Sequence, residues 1–387
     1  MQKRSIVIID HEPYRSFKRQ HFFMDEFRQA GYEVRFWSLN RALAYTAGAP
    51  YLNHETAPDV WYPSNREELL RKLETLPHGT VFIAELVFRA ETLYLFRALK
   101  RQRGIVLRID YFGTLSSVFY LRKKWTARLA GLNATRLAGI GVRLLNRLFH
   151  WYDPLCEFRS GQKGANPGRK VFSVTYFDVY TNEKAGAPLI DRPYVVFLDV
   201  FITGHPDFIS IHGRQKKDLL PAVAYFRKMN AAFSRIEEQT GYEVVIAAHP
   251  KAAYTDEFGH RRVLFNQTAT LVKHAAFVLT HYSLASSFAV LNSKKVVLLY
   301  PEEFLDPGSF FHQIYISMKH IREELGAELI CTDRPFSLQR AYPVPVDAYE
   351  RFKKNYLFSD RYPLPNFQIV HEKILERLRQ TDSAVQH

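Results

Sequence analysis

Two kinds of apolar pattern alternate along this chain. Short, nearly unbroken apolar runs start at Ser5 (SIVIID), Tyr32 (YEVRFWSL), Thr80 (TVFIAELV), Gly104 (GIVLRID), Lys170 (KVFSVTYF), Tyr194 (YVVFLDV), Tyr242 (YEVVIAAH) and Lys294 (KKVVLLYP). Runs of this length, apolar on successive residues, predict strands buried on both faces, as in parallel sheets. Between them the pattern predicts helices over 22–30, 66–76, 91–101 and 218–240, and two more at 348–358 and 366–380. A short strand over 277–280 leads into a hydroxyl-rich turn and a short helix.

The alternation falls into two series, separated by a loop with Asn182, Gly186, Pro188 and Pro193. Two such series predict an α/β protein of two Rossmann-like domains whose parallel sheets face a central cleft. The expected bounds are 1–188, 189–345 and a tail, 346–387, whose helices cross back to the first domain. This organisation resembles the GT-B glycosyltransferases, and the resemblance implies a donor site on the second domain and an acceptor site on the first.

Composition narrows the class. With 47% hydrophobic residues the chain forms packed cores rather than a disordered tract. No apolar run reaches the length of a spanning helix, and MQKRSIVIID runs directly into a strand, which predicts no signal peptide. Cys156 and Cys331 lie too far apart in sequence to suggest a metal site or a disulfide framework, so a cytoplasmic setting is expected.

The net charge of +14 is unevenly spread. From Tyr111 to Tyr152 there is no acid, while Arg122, Lys123, Lys124, Arg128, Arg136, Arg143 and Arg147 are basic. Leu121, Trp125, Leu129, Leu132, Ile140, Leu144 and Leu148 recur among them at roughly helical spacing. This predicts a basic helical insertion over about 115–152, with three roles open: contact with an anionic membrane through 121–148, acceptor binding, or a solvated face. A peripheral position on the inner face of the cytoplasmic membrane follows from the first. No nucleic-acid motif accompanies the charge, so nucleic acid is not an expected partner.

The candidate chemistry is densest between Tyr242 and Tyr300. One strand delivers His249, Pro250 and Lys251 at its carboxyl end, and the turn after the 277–280 strand carries His281, Tyr282, Ser283, Ser286 and Ser287. A cation at one strand end beside hydroxyls at a helix start makes an anion site. Simple helix capping uses the same serine geometry.

His249-Pro250 and Ser286-Ser287 resemble the paired HP and S-S/S-T motifs of bacterial GT-B enzymes that use CMP-activated sugars, the sialyltransferases and Kdo transferases. The resemblance covers the second domain, about half of the chain. It implies that His249 contacts the CMP portion and that the serines hold its phosphate. The third sialyltransferase signature, an acidic pair followed directly by glycine, is absent; the nearest string, Asp256-Glu257-Phe258-Gly259, follows His249 instead of preceding it. That departure leaves the retaining β-Kdo transferases of O-antigen and capsule assembly.

Three acids end strands where a cleft is expected: Glu85, Asp110 and Asp199. A retaining double displacement needs a carboxylate nucleophile, for which Asp199 is the candidate, with Glu85 as acid/base and Asp110 as its competitor. Each could instead cap a helix or complete an ion pair. Glu302 is a candidate ribose ligand, and His205-Pro206 is a second, weaker HP pair. No DxD pair is present, so neither a metal nor a cofactor beyond the CMP-sugar substrate is expected.

The expected function is therefore transfer of Kdo from a CMP-sugar to a bacterial surface-glycan or glycolipid acceptor. The alternatives are an inverting CMP-sialic acid, UDP-sugar or GDP-sugar transferase; an epimerase; a CDP-polyol phosphotransferase of the teichoic-acid type, with His11 as base; and a non-enzymatic assembly scaffold.

Overall fold

The computed structural model describes residues 4–43, 55–86, 88–119, 134–205, 219–339 and 342–385. Among them the chain forms two all-parallel sheets. The first contains β1 (Ser5–Asp10), β2 (Glu33–Ser38), β3 (Val60–Trp61), β4 (Val81–Glu85), β5 (Ile105–Asp110), β6 (Cys156–Ser160) and β7 (Val171–Val174), in the order 3-2-1-4-5-6-7. The second contains β8 (Tyr194–Leu198), β9 (Glu243–Ala248), β10 (Val263–Phe265), β11 (Val278–Thr280), β12 (Val296–Tyr300) and β13 (Glu328–Cys331), in the order 10-9-8-11-12-13. Each series opens with a central strand, winds outward on one side, then reverses to the other.

Burial follows from that order. Every residue of β1 and of β8 is buried, because a central strand is covered by helices on both faces. Ile6, Ile8 and Ile83 join a cluster with Met24 and Phe27 of α2 (Met24–Gln29) and with Phe22 of the bend that joins it to α1 (Ser16–His21). On the opposite face Val7, Ile9 and Phe82 cluster with leucines of α3 (Arg66–Glu74) and α4 (Leu93–Arg101). The helix expected over 22–30 is α2; helix α1 before it was not predicted, and Phe23 between the two adopts a left-handed φ of 55°.

After β5 come α5 (Tyr111–Phe119) and α6 (Ala134–Phe149); of the basic segment expected over 121–148, residues 121–133 lie outside the described residues. The strand expected from Lys170 ends at Val174, and Phe177–Glu183 is a helix, α7, that leads toward the second sheet. The second half adds α8 (Ala222–Thr240), α9 (Thr268–His274), α10 (Ser286–Leu291) and α11 (Phe311–Leu325). The tail forms α12 (Val346–Phe352) and α13 (Asn366–Val385).

Helix α13 returns to the first half. Asn366 exchanges two hydrogen bonds with the Thr175 backbone, both 2.7 Å, and His371 meets the Tyr32 hydroxyl at 3.1 Å. Phe367 packs edge-on against Phe27 at 5.2 Å.

Candidate active site

In an open parallel sheet, ligands bind beyond the carboxyl ends of the strands, where the winding direction reverses. Here those points lie between β1 and β4 and between β8 and β11. Asp10 and Glu85 mark the first; Asp199 and Thr280 mark the second.

At the first point Asp10 is buried, accepts the Glu12 amide at 2.8 Å and is ion-paired with the buried Lys18 of α1. Lys18 also reaches Glu12 at 3.1 Å. Burial works against ionisation of Glu12, but Lys18, His11 and Lys251 outweigh it and hold its carboxyl at about 2. Lys251 belongs to the second half, so its field on Glu12 marks where the two halves face each other.

His11 stands beside this pair. Its Nδ1 is 2.9 Å from the Glu85 carbonyl and 3.5 Å from an Asp10 oxygen. A carbonyl only accepts, so Nδ1 carries the proton, and Nε2 is the basic atom of the neutral ring. Burial, together with the charges of Asp10 and Asp110, pushes the Glu85 carboxyl well above the usual carboxylate range. Asp110 caps α5 by accepting the Gly113 amide at 2.7 Å and pairs with Arg108 at 3.3 Å. A Cβ at Gly113 would lie 2.1 Å from an Asp110 oxygen, so a larger residue there would push the Asp110 carboxylate out of its cap.

At the second point both Asp199 oxygens are engaged. One accepts the Phe201 amide at 2.9 Å; the other accepts the His249 amide at 3.2 Å and the Tyr254 hydroxyl at 2.6 Å. The carboxylate ties the end of β8 to the end of β9, and burial raises its pKa. His249 accepts the Lys251 amide on Nδ1 at 3.2 Å, which leaves Nε2–H as its donor. Burial, with His205, Lys251 and Arg15 nearby, pulls this histidine down to about 3, so the ring is neutral. Its ring meets that of His205 edge-on at 4.7 Å; Pro206 lies outside the described residues.

Asp199, His249, Pro250 and Ser283 line a cavity of about 250 Å³, closed from the other side by Phe112, Tyr176 and Asp178. An adjoining cavity of about 510 Å³ shares Phe177, Thr268 and Phe288 with it. A larger one, about 570 Å³, opens among Arg4, Arg103, Lys170 and Arg377. It lies at the amino ends of the first sheet, and none of the candidate residues lines it.

The hydroxyl turn differs from expectation. His281 is wholly buried, with Nδ1–H donated to the Leu299 carbonyl and Nε2 accepting from Tyr225 at 2.7 Å. It is a satisfied core histidine, pulled down to about 4 by burial. Tyr282 is buried as well, and neither lines the cavity. Ser283 does line it, but its hydroxyl accepts the Ala285 amide at 3.2 Å. Ser286 is wholly buried, and the Ser287 hydroxyl donates to Asp178 of α7. The expected phosphate position at Ser287 is thus filled by the protein's own carboxyl group. Glu302 is also displaced from its expected role: it pairs with Arg334 at 2.8 Å on the exposed end of β12 and lines none of these cavities.

Sequence reading missed Lys18, Arg15, Tyr254 and Asp178 as members of the site. The only local signal was a lysine or an acid set among residues that the pattern marks as buried.

A scan against protein-family models finds no match, and a search of curated proteins finds none. Among solved structures, the wall teichoic acid polymerase TagF shares 10% identity, covers 98% of this chain and 90% of its own, and superposes with a TM-score of 0.51. A histidine-to-alanine variant of that polymerase, also 10% identical, reaches 0.53 over 97% and 90%. The spinosyn forosaminyltransferase SpnP covers both chains fully at 13% identity, with a TM-score of 0.42 that adds nothing to the fold assignment. The chain therefore has a GT-B-like fold of two parallel α/β halves, a fold that known glycosyltransferases share. At these identities the likeness extends to the fold alone.

Proposed function

We propose that this protein is a GT-B transferase that moves a group from a nucleotide-activated donor to an acceptor hydroxyl, with His11 as general base. The observation that carries this is the pair of strand-end sites at one cleft: His11, anchored through Nδ1 on Glu85, on one side, and His249 with Lys251 on the other. The Nε2 atom of His11 takes the acceptor proton as the acceptor oxygen attacks the donor. The bond to the nucleotide phosphate breaks, and the departing negative charge is met by Lys251, Arg15 and the Nε2–H of His249.

This reading favours single displacement with inversion. A retaining mechanism through Asp199 would require a nucleophile whose oxygens already accept three hydrogen bonds. Within the proposed class, the His-Pro resemblance at His249, which does line the cavity, makes CMP-Kdo the first donor to try. A second reading, transfer of a polyol phosphate from a CDP-activated donor, is favoured by the histidine base on the first half.

The test is calorimetric titration with CMP, CDP, UDP and GDP, followed by transfer assays with the matching donors. Selective cytidine nucleotide binding that weakens in His249→Ala supports the reading. No binding to any nucleotide would refute it and favour the scaffold.

A further inference from the structure

Helix α6 turns one face to the body of the first half and the other outward. Val142 is buried, and Asn146 clamps the chain beyond the helix, donating to the Tyr152 carbonyl at 2.9 Å and accepting its amide at 2.7 Å. These two residues, one turn apart, define the inner face. At the helical repeat, Leu144 and Leu148 fall opposite it, and they are 54% and 75% exposed. Arg143 and Arg147 lie along one flank of that crest, Leu145 and Phe149 along the other. Phe149 stacks on Trp151 at 4.9 Å, and Arg97 lies 5.5 Å from the Trp151 ring centroid.

A water-facing helix carries polar residues on its outward crest. Here the crest is leucine, flanked by exposed Arg143 and Arg147 on one side and Leu145 and Phe149 on the other, in a stretch of chain without an acid from Tyr111 to Tyr152; exposed Arg97 and Lys100 of α4 adjoin its end. That pairing of apolar crest and basic flank complements an anionic lipid surface. Among the described residues no helix is long and apolar enough to cross a membrane, so the fitting geometry is a helix lying in the interface.

We propose that this face docks the protein on an anionic bilayer, with Leu144, Leu148 and Phe149 at the acyl boundary and Arg143 and Arg147 at the headgroup phosphates. Trp151 sits at headgroup level beside them. Helix α6 packs against the turn that follows β4 and ends beside Lys100, which donates to the Phe149 carbonyl at 2.7 Å. It therefore runs down the flank of the first half from the carboxyl-end side of the sheet.

The test is co-sedimentation of the full chain with vesicles of phosphatidylcholine alone and with phosphatidylglycerol mixed in. Binding to the anionic vesicles only, weakening with salt, is expected. Arg143→Glu and Arg147→Glu should each lower the partition coefficient at least about fivefold, and Leu144→Glu with Leu148→Glu by about tenfold or more. Lys319→Glu, on α11 of the second half, is the charge-matched control and should change little. Circular dichroism and the unfolding midpoint establish that the variants fold.

Equal binding to both vesicle types, or anionic-vesicle binding that survives the leucine substitutions, would overturn the proposal. So would a wild-type dimer that ignores vesicles and becomes monomeric in the leucine variant, which would make the face a contact between copies. None of these readouts depends on nucleotide binding, so the proposal stands or falls apart from the assigned chemistry.

Discussion

Replacing Asp178 with asparagine should change how stability depends on pH. Asp178 is buried on α7, the helix between the two sheets, and accepts the Ser287 hydroxyl of α10. Burial pushes its carboxyl up to about 7, and the Ser287 hydrogen bond only partly opposes that rise. A carboxyl whose folded pKa is raised contributes its stability fully below the unfolded value, near 3.8, and loses it as pH rises through about 7. Between those values the folded state holds a proton that the unfolded state has released, so stability falls with rising pH.

Roughly three pKa units at about 1.4 kcal/mol each give a ceiling of about 4 kcal/mol between acid and neutral pH. Asparagine still offers Ser287 an acceptor and cannot ionise. The assay is urea unfolding of both proteins at pH 5, 6, 7 and 8, followed by tryptophan fluorescence. The difference between them isolates Asp178 from every other titrating group. The variant should gain on the wild type by up to about 1.4 kcal/mol per pH unit as pH rises toward 7, with no further gain above it. Parallel curves across that range would refute the burial argument.

His11→Ala should lower transfer about 10²–10⁴-fold while leaving the nucleotide dissociation constant unchanged, and a parallel loss of both in titration and turnover assays would place His11 in donor binding instead. Asp199→Ala leaves the Phe201 and His249 amides and the Tyr254 hydroxyl without their acceptor and should cost about 3 kcal/mol or more in urea unfolding. Near-normal turnover by that folded variant would exclude a nucleophile, whereas lost turnover at unchanged stability and nucleotide affinity would restore the retaining mechanism. Lys18→Met strands Asp10 in the interior beside Glu12 and should cost about 3–5 kcal/mol, read by the same unfolding experiment; an unchanged midpoint would mean that the pair carries no net weight.

The elements that sequence reading located are those whose local pattern reports burial directly. Strands β1, β4, β8 and β9 were visible because unbroken apolar runs of four or five residues are comfortable only where both faces are covered. Strand β6 was missed, although Cys156, Phe158 and Ser160 point inward and Glu157 and Arg159 outward. Its alternation covers five residues with two charges, too short a signal beside the long basic segment before it. Helix α1 was missed because its six residues bury only Lys18, which leaves no apolar period to read.

The site was legible in part. The acids and histidines were expected at strand ends, and His249, Asp199 and Glu85 do lie there. His281 also follows a strand, yet it turns into the core and spends both ring nitrogens on Tyr225 and Leu299. Nothing within ten residues of it announces either partner.

The sequence alone determined that this chain builds two parallel α/β layers, since apolar period and run length depend on neighbours a few residues away. Tertiary structure decided which polar groups face the cleft and which neutralise one another. Ser287 meets Asp178 from 109 positions away, and His11 meets the Glu85 carbonyl from 74. Those pairings follow from the strand order and the packing of the two halves, which place groups side by side that no local pattern connects.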